Sequence, residues 1–119
     1  MKAIVDVIND FKQQLNQLNY PVYTEKLNNI IDKPHIVILE SRRQPVYNDS
    51  IDKVYDSTIE VTFITNKLPV NFIELYNVRD SIINALNNYQ FIVSELEVDV
   101  NRKSNIKAAI HMLFTVKTR

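Results

Sequence analysis

Thr58-Ile59-Glu60-Val61-Thr62-Phe63-Ile64-Thr65 alternates apolar Ile59, Val61 and Phe63 with polar Thr58, Glu60 and Thr62. That period of two describes a strand with one dry face and one mostly wet face. Asn66-Lys67-Leu68-Pro69 follows as a turn, and Val70 to Asn87 reads as a long amphipathic helix. Asn71 is placed to cap the helix. Glu74, three residues on, is placed to reach back as in a capping box, and Val70 and Leu75 occupy the two positions of a hydrophobic staple. Asn87-Asn88 offers a stop, because Asn tolerates the left-handed conformation that often ends a helix.

Before this unit, Ile4, Ile8, Phe11, Leu15 and Leu18 recur every four or three residues and predict a helix over 2–18. Asp6 near its start suits the helix dipole. Pro21 ends that helix, and a short strand is expected at 22–27, followed by a loop to Pro34. His35 to Arg42 is the next strand. Its core, Ile36-Val37-Ile38-Leu39, runs without alternation and reads as covered on both faces. Two helices packed on one face leave the other face to be covered by a neighbouring subunit or by loops, and the pattern does not choose between them.

Ser41 to Ser57 reads as a long polar connection containing Arg42, Arg43, Pro45, Tyr47 and Tyr55. Connections longer than about 12–15 residues are uncommon in compact domains and are often functional, and Tyr and Arg are enriched at binding hot spots. The alternative is a solvated loop or an extended hairpin arm. After the second helix, 89–100 and 106–118 form a hairpin. Pairing Val100 with Ile106 sets Val98 against Ala108, Leu96 against Ile110, Ser94 against Met112 and Ile92 against Phe114. The other face then pairs Asp99 with Lys107 and Glu95 with His111, contacts of roughly 0.2–1 kcal/mol each. The expected order is α-β-β-β-α-β-β in one domain over 1–119. The fold class is α+β, a two-layer sandwich with a mainly antiparallel sheet and both helices on one face.

Composition narrows function mostly by exclusion. The chain has 119 residues, 45% apolar and 24% charged, with 14 basic and 14 acidic side chains. A net charge of zero argues against a nucleic-acid binder that relies on an overall basic field. No cysteine is present, which excludes disulfides and cysteine-zinc sites, and no glycine is present either. The phosphate loop, the dinucleotide fingerprint and the nucleophile elbow all need glycine, so none of them is available. Asn is expected to take the positive-φ positions in its place. No stretch approaches the ~20 apolar residues of a membrane span, and no signal-peptide core is visible, so a cytoplasmic site of assembly is expected.

Few residues suggest chemistry. His35 and His111 are the only histidines, and their spacing does not suggest a metal pair. The serines lack a nucleophile context. No enzyme, cofactor or metal site is expected. Glu95, Glu97 and Asp99 alternate and share one strand face, which reads as a wet sheet face or as an acidic stripe. Arg79 falls inside the apolar stripe of the second helix, at about 100° per residue, and must snorkel or find a partner such as Glu60 or Asp6.

The chain as a whole resembles the small tail-terminator and tail-completion proteins of long-tailed bacteriophages. The resemblance lies in an N-terminal helix leading to Pro21-Val22-Tyr23 and in an apolar strand after Pro34. It continues in a long polar loop before Glu60-Val61-Thr62-Phe63-Ile64-Thr65, a helix ending in Val78-Arg79-Asp80-Ser81-Ile82-Ile83-Asn84-Ala85-Leu86, and a closing hairpin. It covers nearly the full chain and is one of element order and residue character. The absence of glycine departs from the family, whose loops commonly use it.

The resemblance implies a structural virion protein at the head-tail junction. Such a protein forms a homo-oligomeric ring, typically a hexamer, that ends tail-tube polymerisation and meets a head-closure or connector protein. The neighbouring neck protein shares this outline. Ring closure needs two different complementary patches, and Arg42, Arg43, Tyr47, Tyr55 and Arg79 are candidates for them. Glu95, Glu97 and Asp99 are candidates for a lumen-facing stripe that lets DNA pass without specific binding. The competing reading is a small cytoplasmic α+β interaction or regulatory domain, dimeric, binding a protein or a small ligand.

Overall fold

The computed structural model describes residues 1–25, 33–46, 53–99 and 108–119. Among them the chain runs α1 (Ile4–Leu15), a 3-10 turn (Asn16–Leu18), β1 (Val22–Tyr23), β2 (His35–Val46), β3 (Val54–Thr65), α2 (Phe72–Ala85), β4 (Gln90–Val98) and β5 (Ala108–Thr118). The strands form one five-stranded sheet in the order β1-β2-β3-β5-β4. β1 is parallel to β2 and every other pair is antiparallel. The α+β architecture expected from the periodicities is the one observed.

Register defines the two faces of the sheet. Ile36, Phe63, Ile110 and Leu96 lie in one cross-strand row; Ile38, Val61, Met112 and Ser94 lie in the next. Ile59, Phe114 and Phe91 form a third row on the same face. The buried residues of α1 (Val7, Phe11, Leu15) and of α2 (Leu75, Val78, Ile82), with Leu86, join these rows in one core. Both helices therefore cover a single face. Phe11 holds the centre, with Tyr89 at 4.5 Å and Phe114 edge-on at 5.7 Å between ring centroids. Each fully buried side chain of this size stabilises the fold by about 1.5–3 kcal/mol.

The local signals around α2 largely hold. Asn71 Oδ1 accepts the Glu74 backbone N–H at 3.1 Å. Leu75 is buried, and half-buried Val70 packs on the core. The Glu74 carboxylate faces Lys67 at 3.8 Å, across the turn from its expected backbone partner. The helix ends at Ala85, before Asn87. Leu86 closes it with its N–H on the Ile82 carbonyl and negative φ, so no left-handed Asn is needed there. Among the described residues only Asn19 has positive φ, at 65°, directly after the 3-10 turn that finishes the first helical segment. Asn19 does take the role of glycine. α1 is shorter at both ends than the expected 2–18, and Val7, which the four-three spacing passed over, is fully buried in its stripe.

Three expectations are corrected. Over Ser41 to Ser57 the alternative reading, an extended hairpin arm, replaces the long polar connection: β2 continues to Val46, β3 starts at Val54, and Arg42 to Val46 pair with Thr58 to Val54. Polar side chains, Pro45 and a bulge between Glu40 and Arg42 gave it the look of a loop. Tyr47 lies outside the described residues. The strand expected at 22–27 covers Val22 and Tyr23 and has ended by 24–25, while 26–27 lie outside the described residues. In the closing hairpin, Val98 to Val93 take the expected partners, but a bulge between Phe91 and Val93 puts Phe91, not Ile92, opposite Phe114. Ile92 is thereby turned out and half exposed. The pairs Val100–Ile106 and Asp99–Lys107 involve residues outside those described.

Of the apolar run Ile36-Val37-Ile38-Leu39, the first three are buried and Leu39 is only half-buried; His35, just ahead of the run, is buried as well. The burial of Ile36 to Ile38 is reached within a single chain, with β1's Tyr23 beside Val37 in register and its ring 5.8 Å from His35. A neighbouring subunit is not required to account for it. Among the described residues no helix is long and apolar enough to cross a membrane.

Candidate functional site

The sheet face away from the helices carries the main concentration of charge. Val37, Thr62, His111 and Glu95 form one row across four strands. Leu39, Glu60, Leu113 and Val93 form the next, and His35, Ile64, Ala109 and Glu97 a third. Glu60, Val93, Glu95, Glu97, His111 and Leu113 line a shallow depression of about 300 Å³.

His111 is its centre. Nδ1 lies 3.0 Å from Thr62 Oγ1 and 3.4 Å from Glu60 Oε1, and Nε2 lies 3.2 Å from Glu97 Oε2. Thr62 donates its hydroxyl proton to Glu60 Oε1 at 3.1 Å. Nδ1 thus faces Thr62 and Glu60 and Nε2 faces Glu97, so the imidazole ties β3, β5 and β4 together. The partners are partly exposed, so each contact adds modestly to stability.

The chemistry open to this group is narrow. Glu60 and Glu97 sit at opposite edges of the ring and do not converge on one point. Among the described residues no group of three or more His, Asp or Glu is placed to hold a metal ion. Among the described residues Thr62 is the hydroxyl beside the ring, 3.0 Å from Nδ1. Thr62 itself is held by Glu60. The arrangement is a polar clamp on an acidic surface. Glu97 belongs to it, whereas Glu95, the register partner of His111, lines the same depression and leaves the ring's contact on β4 to Glu97. Asp99 follows directly after β4 and is half-buried.

The expected interface residues separate into two places. Arg42, Arg43 and Tyr55 lie on the hairpin arm. The Arg43 guanidinium stacks on Tyr55 at 3.9 Å, and its Nη2 donates to the Arg119 carbonyl at 3.4 Å. Beside them Ser57 and Thr118 share a buried hydroxyl hydrogen bond of 2.9 Å, and Lys117 meets Asp56 at 3.3 Å. Arg79 is on α2. It pairs with adjacent Asp80, both nitrogen contacts being 3.0 Å, and lies 4.9 Å over the Tyr76 ring. Glu60 and Asp6 are not its partners, and Glu60 is on the far side of the sheet. Arg79 snorkels along its own helix.

One surface escaped the periodicity. Leu68, Phe72, Ile73 and Tyr76 are exposed at the start of α2, Ile73 by 74%. Phe72, Ile73, Leu75, Tyr76, Val78, Ile82 and Ile83 run around the helix more than along one stripe. Counting apolar residues off the core stripe would have flagged them.

No protein-family model matches the chain, and no curated protein matches it by sequence.

Proposed function

We propose that this chain is a structural ring subunit at the head-proximal end of a phage tail tube, where it ends tube polymerisation and joins tail to head. The observation that supports the reading most directly is the sidedness of the sheet. Both helices lie on one face, and Glu60, Glu95 and Glu97 gather on the other. In a closed ring with helices outward, those carboxylates line the channel and repel DNA phosphates. The proposed partners are further copies of itself in a hexamer, the tail-tube protein, and the head-closure or connector protein.

The test is sedimentation mass over a range of concentrations, alone and with the tail-tube protein encoded nearby, with tube lengths measured by electron microscopy. A ring, or a monomer that assembles only on tube ends and stops their growth, supports the reading. A concentration-independent dimer that leaves tube growth unchanged sinks it. That outcome favours the second reading, a small dimeric interaction or regulatory domain, for which the exposed Phe72, Ile73 and Tyr76 surface speaks.

A further inference from the structure

Among the described residues the sheet is open on both sides. It ends on β4, nine residues long, and on the other side β1 pairs only with Ile36 and Val37. Among the described residues no strand lies beside β2 from Ile38 to Val46. We propose that β4 of one copy pairs antiparallel with the outer edge of β2, in its arm segment, of a second copy, so that the sheet continues from subunit to subunit.

Three observations carry this. The first is direction. β2 is antiparallel to β3, β3 to β5 and β5 to β4, so β4 runs opposite to β2. A neighbour related by rotation about an axis along the strands presents β2 to β4 in the antiparallel sense, with its helices on the same side. The second is exposure. Ile92, Val93, Leu96 and Val98 are between 37% and 50% exposed on an edge strand, where monomeric proteins usually avoid apolar side chains. The third is charge. β4 carries Glu95 and Glu97, and the arm segment of β2 carries Arg42 on the same sheet face, with Arg43 next to it on the other. A two-fold β4–β4 contact sets Glu against Glu, and a β2–β2 contact sets Arg against Arg. Like charges across a ladder destabilise it. The unlike edges attract, so the contact is head-to-tail and can close a ring.

The β2 side contributes fewer backbone bonds than β4. The bulge after Glu40 and Pro45, which has no N–H, bracket its regular stretch. A stagger of a few residues, as strand tilt in any closed sheet imposes, slides β4 past β1 and onto this stretch. The Arg–Glu attraction then sets the register.

The absence of native cysteine makes the test direct. Full-length Arg42→Cys and Glu97→Cys proteins, one carrying a size tag, are mixed and oxidised at the highest soluble concentration. The expected product is the mixed disulfide, formed faster than either like pair. Preferential disulfide dimers of either variant with itself, or no cross-link between copies, overturn the proposal. In parallel, the pair Arg42→Glu/Arg43→Glu and the pair Glu95→Lys/Glu97→Lys are each expected to weaken self-association about tenfold by sedimentation. All four changes in one chain are expected to restore it, with circular dichroism reporting folding. Failure of the rescue in a folded protein also overturns the proposal. It rests on the ring reading only for its choice of occupant. A ring that forms without the mixed cross-link removes the edge contact and leaves that reading intact; a mixed cross-link in a protein indifferent to tubes does the reverse.

Discussion

Tyr89 shows how one side chain links the core to solution conditions. Its ring packs on Phe11, and its hydroxyl donates to Asp10 Oδ2, which Lys2 approaches at 3.8 Å. Burial, then the hydrogen bond to Asp10 and that residue's charge, push the Tyr89 phenol well above its ordinary value of 10.0. Burial, then the charge of Glu74, push Tyr20 up as well. The unfolded chain therefore gives up these protons at lower pH than the folded chain does. Below about pH 10 both states hold them and their contribution is constant. As pH rises past about 10 toward the raised folded values, the unfolded state binds fewer protons and stability falls. The expected outcome is a urea midpoint that is steady near neutrality and drops above about pH 10, with a shallower drop in Tyr89→Phe. An alkaline drop as steep in Tyr89→Phe as in the parent chain would remove Tyr89 as its source. Little of this contact was visible in the sequence, because Asp10 and Tyr89 are 79 residues apart and only folding brings them together. The Asn71 cap was visible because its donor is three residues away.

Elements were legible where the signal is local and repeats. The alternation of Ile59, Val61 and Phe63 identified the central strand, and the pairing of Val93 to Val98 with Leu113 to Ala108 followed from facing charges and apolar residues. Bulges were not legible. Phe91, Ile92 and Val93 are all apolar, so their types cannot say which one turns inward, and one extra residue reverses the answer. The arm was hidden for a related reason: a strand exposed over Glu40 to Pro45 has no dry face to produce a period of two. Likewise the Glu95–His111 pairing could be anticipated, whereas Glu60 and Thr62 reach His111 only through the long-range β3–β5 register. The bulge makes a sharp prediction. Phe91→Ala removes a ring that packs on Phe114 at 5.7 Å and should cost roughly 2 kcal/mol or more. Ile92→Ala trims an exposed side chain and should change stability by no more than about 0.5 kcal/mol. A regular register would reverse the order, so denaturant midpoints of the two variants decide between them.

At the scale of the whole molecule, the 12-residue β2 and β3 span roughly 40 Å at about 3.3 Å per residue, close to the longest dimension of 53 Å. A ring built from such subunits with the helices outside has a wall of antiparallel strands, and its inner surface is the face of Glu60, Glu95 and Glu97. Salt limits what those carboxylates can do. The Debye length is about 8 Å at physiological ionic strength, so their field is felt by DNA close to the wall and is screened at the centre of a wide channel. On the proposed ring reading their part is that of a lining that prevents adhesion, with no long-range push on the DNA. Neutralising Glu95, Glu97 and Asp99 to Gln, Gln and Asn keeps hydrogen-bonding side chains on the edge strand and adds no like charge to a subunit contact; it removes the proposed Arg–Glu attraction, so assembly on the tube should weaken without being reversed, and the particles that carry the altered ring are the ones compared. DNA passage should then slow, measured as the ejection rate from purified virions at several salt concentrations. The slowing should be greatest at low salt, where attraction of phosphates to basic side chains of that sheet face such as Arg42 and Lys117 is no longer offset, and should fade as salt rises. Ejection at the parental rate across the whole salt range, from particles that carry the altered ring, would remove the acidic face from the channel and turn the ring inside out.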